Sequence, residues 1–188
     1  MKALIQIIAV LSFGFLVFTN ETAEIKIEKE SEIVIKGKSN VNRFTCEYTT
    51  IISEGSNNIT YNVVDDSYII TDAVLKISSK AFDCGGRLIN KDFNELLQTE
   101  EYPHILIEPT RIKKENNTYT VTTDIQIAGK EKTYSFEMLH NKGDNYIGVL
   151  SLNIEDFEMD PPNKLMGIIK LDPHIDINFD LDLVINNN

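Results

Sequence analysis

The sequence is poor in the residues that most often carry chemistry. Its 188 residues include two cysteines and three histidines. Two cysteines with no C-x-x-C leave zinc short of the four ligands it takes. There is no G-x-S-x-G elbow, no H-E-x-x-H, no phosphate-binding loop and no G-x-G-x-x-G. The usual signatures of acyl transfer, zinc hydrolysis and nucleotide binding are therefore missing. His104, His140 and His174 are far apart, two of them beside proline. They would form a cluster only if the fold gathered distant strand ends, so no metal site and no catalytic group is expected. Positive charge is also scarce, with 18 Lys and Arg against 29 Asp and Glu, a net charge of −11. Such a balance repels nucleic acid and anionic lipid surfaces and disfavours any phosphate-tracking role.

Long apolar runs are confined to the start of the chain. Leu4 to Phe18 follows the short basic opening Met1-Lys2-Ala3 and is broken only by Gln6, Ser12 and Gly14. It is shorter than the ~20 residues of a membrane-spanning helix and fits a secretory leader, with an uncleaved anchor as the alternative. No Ala-x-Ala marks the cut, which is expected between Phe18 and Glu24, and no cysteine follows that could carry a lipoprotein anchor. Residues 1–20 are thus read as a signal peptide and 21–188 as one domain, exported to a periplasm or secreted. Removing the leader leaves 17 basic against 29 acidic residues, a net charge of −12. In that setting Cys46 and Cys84 are expected to pair, the alternative being two buried thiols. The bridge would tie the first barrel strand to the loop before the helix and contribute roughly 3–4 kcal/mol.

What the chain has in abundance is two-residue alternation. In the closing run "HIDINFDLDLVINNN", Ile175, Ile177, Phe179, Leu181, Leu183 and Ile185 alternate with Asp176, Asn178, Asp180 and Asp182, the pattern of a strand with one buried and one wet face. The same pattern marks "AEIKIEK", "EIVIKG", "FTCEYTTII", "ITYNVV", "DAVLKIS", "HILIEPT", "YTVTTDIQI", "TYSFEML" and "YIGVLSL". The turns "AGKEK", "NKGDN" and "EMDPPNK" are too short for parallel crossovers, so these neighbours are antiparallel. One helix is expected in "NKDFNELLQTEEY", capped by Asn90 and stopped before Pro103. The class is all-β: a sandwich or a closed antiparallel barrel, between which periodicity does not choose.

The inward faces are rich in tyrosine: Tyr48, Tyr61, Tyr119, Tyr134 and Tyr146 join Phe136 and Phe179 there. Each phenol needs a partner in a dry core, so five of them point toward a cavity, with a packed core as the simpler alternative. The acids Asp176, Asp180 and Asp182 read as a solvated outer face.

Four stretches, in order, resemble the YceI-like family, also called the polyisoprenoid-binding, lipocalin-like family, over Glu32 to Ile185. They are "IKGKSNVNRFTCEY", "FNELLQTEEYPHILIEPTRI", "IQIAGKEKTYSFEM" and "LNIEDFEMDPPNKLMGIIKLDPHIDINFDLDL", the last with Gly167 before a short strand. The family's Asn-Arg-x-Asp-Phe is here Asn153-Ile154-Glu155-Asp156-Phe157, and its Gly before "IQIAG" is replaced by Thr122-Thr123. The resemblance implies an eight-stranded lipocalin-like barrel with one short helix, enclosing an isoprenoid-like lipid or quinone and requiring no cofactor. The expected lining is Phe44, Tyr48, Tyr61, Leu75, Ile105, Tyr119, Val121, Ile125, Tyr134, Phe136, Met138, Tyr146, Leu150, Ile177, Phe179 and Leu181. The expected partner is an apolar lipid, not nucleic acid, and a homodimer is allowed. Two competing functions are a solid-core barrel that engages a protein or cation, and a hydrolase acting on an envelope lipid.

Overall fold

A computed structural model describes residues 20–159 and 170–187. All but one residue of the expected leader, most of the "EMDPPNK" turn and Gly167 lie outside the described residues. Twelve strands and one helix follow in the order β1 (Glu21–Ile27), β2 (Glu32–Lys38), β3 (Arg43–Tyr48), β4 (Ser56–Val64), β5 (Ser67–Thr71), β6 (Leu75–Ser78), β7 (Phe82–Asp83), α1 (Arg87–Leu96), β8 (His104–Glu115), β9 (Thr118–Ile127), β10 (Lys130–His140), β11 (Asn145–Asn153) and β12 (His174–Asn187).

Eight of the strands close a ring, β1-β4-β5-β8-β9-β10-β11-β12 and back to β1, all antiparallel. Closure leaves no free edge around that ring. The long last strand makes it possible. On one side β12 pairs with β11. On the other its second half, Leu183 to Asn187, pairs with β1, and its first half, Asp176 to Asp180, pairs with β2. β1 and β2 are therefore two halves of one strand interrupted at Glu28–Ser31. β5 and β6 divide β8 in the same way, with Asp72 between them at φ 64°. β3 continues from β2 and carries β7. Between β10 and β11 the ladder covers only Met138–His140 with Tyr146–Gly148.

Several local expectations are corrected. The strand β5 escapes a search for glycine and asparagine turns because its hairpin turns on Asp65-Asp66, both left-handed at φ 49° and 56°. Two such residues match the twist of a two-residue hairpin. "FTCEYTTII" is strand only to Tyr48, and "DAVLKIS" only from Leu75. The helix starts at Arg87, with Gly86 as its N-cap, and ends at Leu96. Asn90 lies inside it and reaches backward, accepting from Cys84 N–H at 2.6 Å and donating to Asp83 at 2.9 Å. Past its end, Gln98 is left-handed at φ 50° while Thr99 N–H returns to Asn94 C=O, a Schellman closure that stops the helix before Pro103.

Cys46 and Cys84 form a disulfide. Cys46 sits in β3, the third strand of the chain rather than the first, and is fully buried.

A ring on a glycine holds the first family-like stretch to itself and joins the second to the third. Phe44 in β3 covers Gly37 in β2, and Tyr102 covers Gly129, where any Cβ would overlap the ring. Gly129 also needs its left-handed φ of 75° for the β9–β10 turn, so here glycine serves both the turn and the close approach.

Side chains fill the two ends of the barrel differently. One large core runs from Ile33, Ile35 and Cys46 through Ile77, Phe82, Ile125 and Leu150 to Ile177 and Phe179. Phe93 of α1 and Leu97 at its C-cap join it, as do Ile154 and Phe157 of the short 3-10 turn after β11. The other end has only a small cluster of Ala23, Ile59 and Ile70, with Ile25, Tyr61, Ala73 and Ile112 beside it.

Candidate functional site: the hollow end of the barrel

The hollow end encloses a cavity of about 330 Å³, to which all eight ring strands contribute. Ala23 and Ile25 come from β1, Ile59 and Tyr61 from β4, Tyr68 and Ile70 from β5, and Ile112 and Lys114 from β8. Tyr119 and Val121 come from β9, Met138 from β10, Tyr146 from β11, and Leu183, Ile185 and Asn187 from β12. These residues follow the period-two alternation, which is why one face of every strand arrives at the same space. Val121 and Met138 line the cavity and also belong to the large core. Beyond them Phe136 stacks on Phe179 with centroids 5.6 Å apart, and solid core begins.

The polar groups gather among four tyrosines. Tyr61 and Tyr68 meet edge to face at 5.7 Å, and Tyr119 and Tyr146 at 5.6 Å. Offset and edge contacts of this kind suit the ring quadrupoles. Tyr61 donates its hydroxyl to Glu21 at 2.8 Å, and this hydrogen bond holds the phenol above its usual pKa. Burial raises Tyr146, with Tyr119 adding to it. Both stay neutral donors at ordinary pH. Among the described residues Lys114 is the one cation lining the cavity, its Nζ 5.5 Å from the centre of the Tyr119 ring. Tyr119 beside it holds the amine above its usual value.

Of the sixteen expected lining residues, Tyr61, Tyr119, Val121, Met138 and Tyr146 face this cavity. The other eleven, Phe44, Tyr48, Leu75, Ile105, Ile125, Tyr134, Phe136, Leu150, Ile177, Phe179 and Leu181, belong to the solid core or pack against it. Tyr48 and Tyr134 meet their phenol requirements there. The Tyr48 oxygen accepts from Ser78 N–H, while Tyr134 donates to Asp156 at 2.5 Å and accepts from Asn153 N–H. The expected lining omitted Ala23, Ile25, Ile59, Leu183, Ile185 and Asn187, which lie on strands the sequence did reveal, and also Tyr68, Ile70, Ile112 and Lys114. Tyr68 and Ile70 were hidden with β5, while Ile112 and Lys114 continue the alternation of β8 past its irregularity at Pro109–Arg111.

The remaining candidates are dispersed. His104, His140 and His174 stand at the ends of β8, β10 and β12, and no group of three or more potential metal ligands occurs among the described residues. On the outer face of β12, Asp176 accepts from Ser151, and Asp180 and Asp182 accept from Asn145.

The geometry defines a closed antiparallel barrel, hollow at one end and solid at the other. The chain belongs to the YceI-like family: the model of the YceI-like domain matches residues 28–183. Among solved structures it is similar to BcnA of Burkholderia cenocepacia, at 15% identity and a TM-score of 0.61, covering 85% of this chain and 99% of that one. It is also similar to a polyisoprenoid binding domain from Saccharophagus degradans implicated in plant cell wall breakdown, at 8% identity and a TM-score of 0.57, covering 88% and 98%. At these identities the likeness is one of fold. A search of curated proteins finds no match.

Proposed function

We propose that the protein is an exported, non-enzymatic binding protein that holds an apolar chain, isoprenoid-like or similar, in the hollow end of its barrel. The carrying observation is the 330 Å³ cavity walled by all eight ring strands. It lies within the range of small-ligand sites, ~300–1,000 Å³, where a solid-core interaction module would leave less room. Membership of the YceI-like family and the likeness in fold to a polyisoprenoid binding domain support the reading.

The volume also limits the occupant. At ~30 Å³ per water-sized group, the cavity admits about ten carbons, or two isoprene units, and a longer chain would emerge from the mouth. Burying ten carbons at ~0.8 kcal/mol each gives about 8 kcal/mol gross. Association costs at least ~4 kcal/mol, so a tail alone would bind no more tightly than a Kd of ~1 mM.

Calorimetric titration with straight-chain alcohols and geraniol tests the proposal. Affinity should rise about fourfold per methylene and level off near ten carbons, with geraniol on the same curve. Absence of binding, or affinity independent of chain length, overturns it.

A further inference from the structure

The cavity wall carries one positive charge in a strongly acidic protein, and that charge has no acidic partner of its own. Lys114 lines both the cavity and a rim recess shared with Val63, Asp66, Tyr68 and Asn116. No carboxylate among the described residues lies within ion-pair distance of its Nζ. The acids around the mouth are otherwise engaged or set apart. Glu21 accepts from Tyr61 at 2.8 Å, Glu115 pairs with the outward Lys113 at 2.6 Å, and Asp66 stands in the recess without an ion pair to Lys114. The neighbours of the amine are aromatic: the Tyr119 face, with Tyr68 and Tyr146 lining the same space. Tyr119 stabilises the ammonium through its ring and by a hydrogen bond, which leaves the remaining N–H donors of the three for another acceptor.

We infer that the occupant is a single-chain amphiphile with an anionic head, its tail in the cavity and its head on Lys114. This rests on the cavity reading above and extends it from the tail to the head. A charge-assisted hydrogen bond at such a mouth is among the stronger polar contacts, and it supplies affinity that a ten-carbon tail lacks. The acidic exterior repels anions at long range, so anionic ligands are accepted only where this amine meets them. Lipid carboxylate and lipid phosphate share that chemistry.

The test compares ligands of equal tail length by titration calorimetry: decan-1-ol, decanoate and decyl phosphate, against wild type, Lys114→Met and Lys113→Met. Methionine keeps the apolar stem and removes the charge. The Lys113→Met variant changes net charge equally on the outer face. Wild type should bind decanoate or decyl phosphate about tenfold more tightly than decan-1-ol, and whichever is tighter identifies the head. Lys114→Met should lose that ratio, read as anion against alcohol within each variant, while Lys113→Met keeps it. Equal binding of all three ligands to wild type, or a ratio that survives Lys114→Met, overturns the head-group assignment and leaves the cavity reading standing. A wild type that binds none of them overturns both.

Discussion

The two ends of the barrel are built from the same strands, with the same alternation, and differ in what closes them. At the solid end, Phe93 of α1, its C-cap Leu97, and Ile154 and Phe157 of the 3-10 turn join the core between the strands. The Cys46–Cys84 bridge pins β3 to the segment leading into α1. At the hollow end no described helix enters, and the smallest lining residue is Ala23. An eight-stranded barrel is just wide enough for side chains to fill or for one small ligand to occupy. Here one end is filled and the other is left hollow, and the difference lies with the plugs rather than the strands.

A matched pair of truncations measures that difference. Leu150 and Leu183 are both inward leucines on neighbouring strands, one 1% exposed in the solid core and one on the cavity wall. Leu150→Ala should cost about 3–5 kcal/mol, because the packed surroundings cannot collapse onto the hole, and Leu183→Ala about 1–2 kcal/mol, because its wall already faces space. Urea unfolding of both variants gives the comparison. Equal costs would mean that the two ends are packed alike.

The bridge is the next lever. The double variant Cys46→Ala/Cys84→Ala should lose roughly 3–4 kcal/mol, with decan-1-ol binding by the remaining folded protein unchanged, since neither sulfur reaches the cavity. Denaturation curves and calorimetry read the two quantities separately. A loss of binding larger than the folded fraction accounts for would show that the ends are coupled.

How much of this was legible in the sequence differs between the ends. The alternation in "HIDINFDLDLVINNN" and "YTVTTDIQI" announces the strands and their inward faces, because period two is the geometry of the strand itself. The antiparallel order follows from short turns. Periodicity carries no information about height along the barrel axis, so Tyr119 and Ile125 look alike in sequence although only the first meets the cavity. Tyr48 and Tyr61 illustrate the same limit: both are inward phenols, yet one is satisfied in the core by Ser78 and the other stands at the cavity with Glu21. The strand β5 and its two lining residues were concealed by a turn made of two aspartates. Lys114 was overlooked because the irregularity at Pro109–Arg111 moves the inward face of β8 from odd to even positions, so that counting on from Ile105 and Ile107 points to Lys113 instead.

A smaller, pH-dependent effect belongs to the solid end. The Asp83 carboxylate accepts from Asn90 Nδ2 and Gly85 N–H, both at 2.9 Å, and these bonds hold its pKa below the usual value. A lowered folded pKa stabilises above the unfolded value, and the contribution is lost as pH falls through the folded one. Asp83→Asn should therefore lower the Tm slightly at pH 7, with the difference from wild type shrinking below about pH 4. A difference that grows on acidification would contradict this sign.

The central claim, that the hollow end is the binding end, is tested most directly by filling it. The protein has no tryptophan, so Ala23→Trp places a single indole on the cavity wall and reports its own surroundings. The account predicts blue-shifted emission from a buried indole, an unfolding midpoint close to wild type, and loss of decan-1-ol binding, whereas Leu150→Ala still binds. Retention of wild-type affinity by a folded Ala23→Trp variant with a buried indole would contradict it.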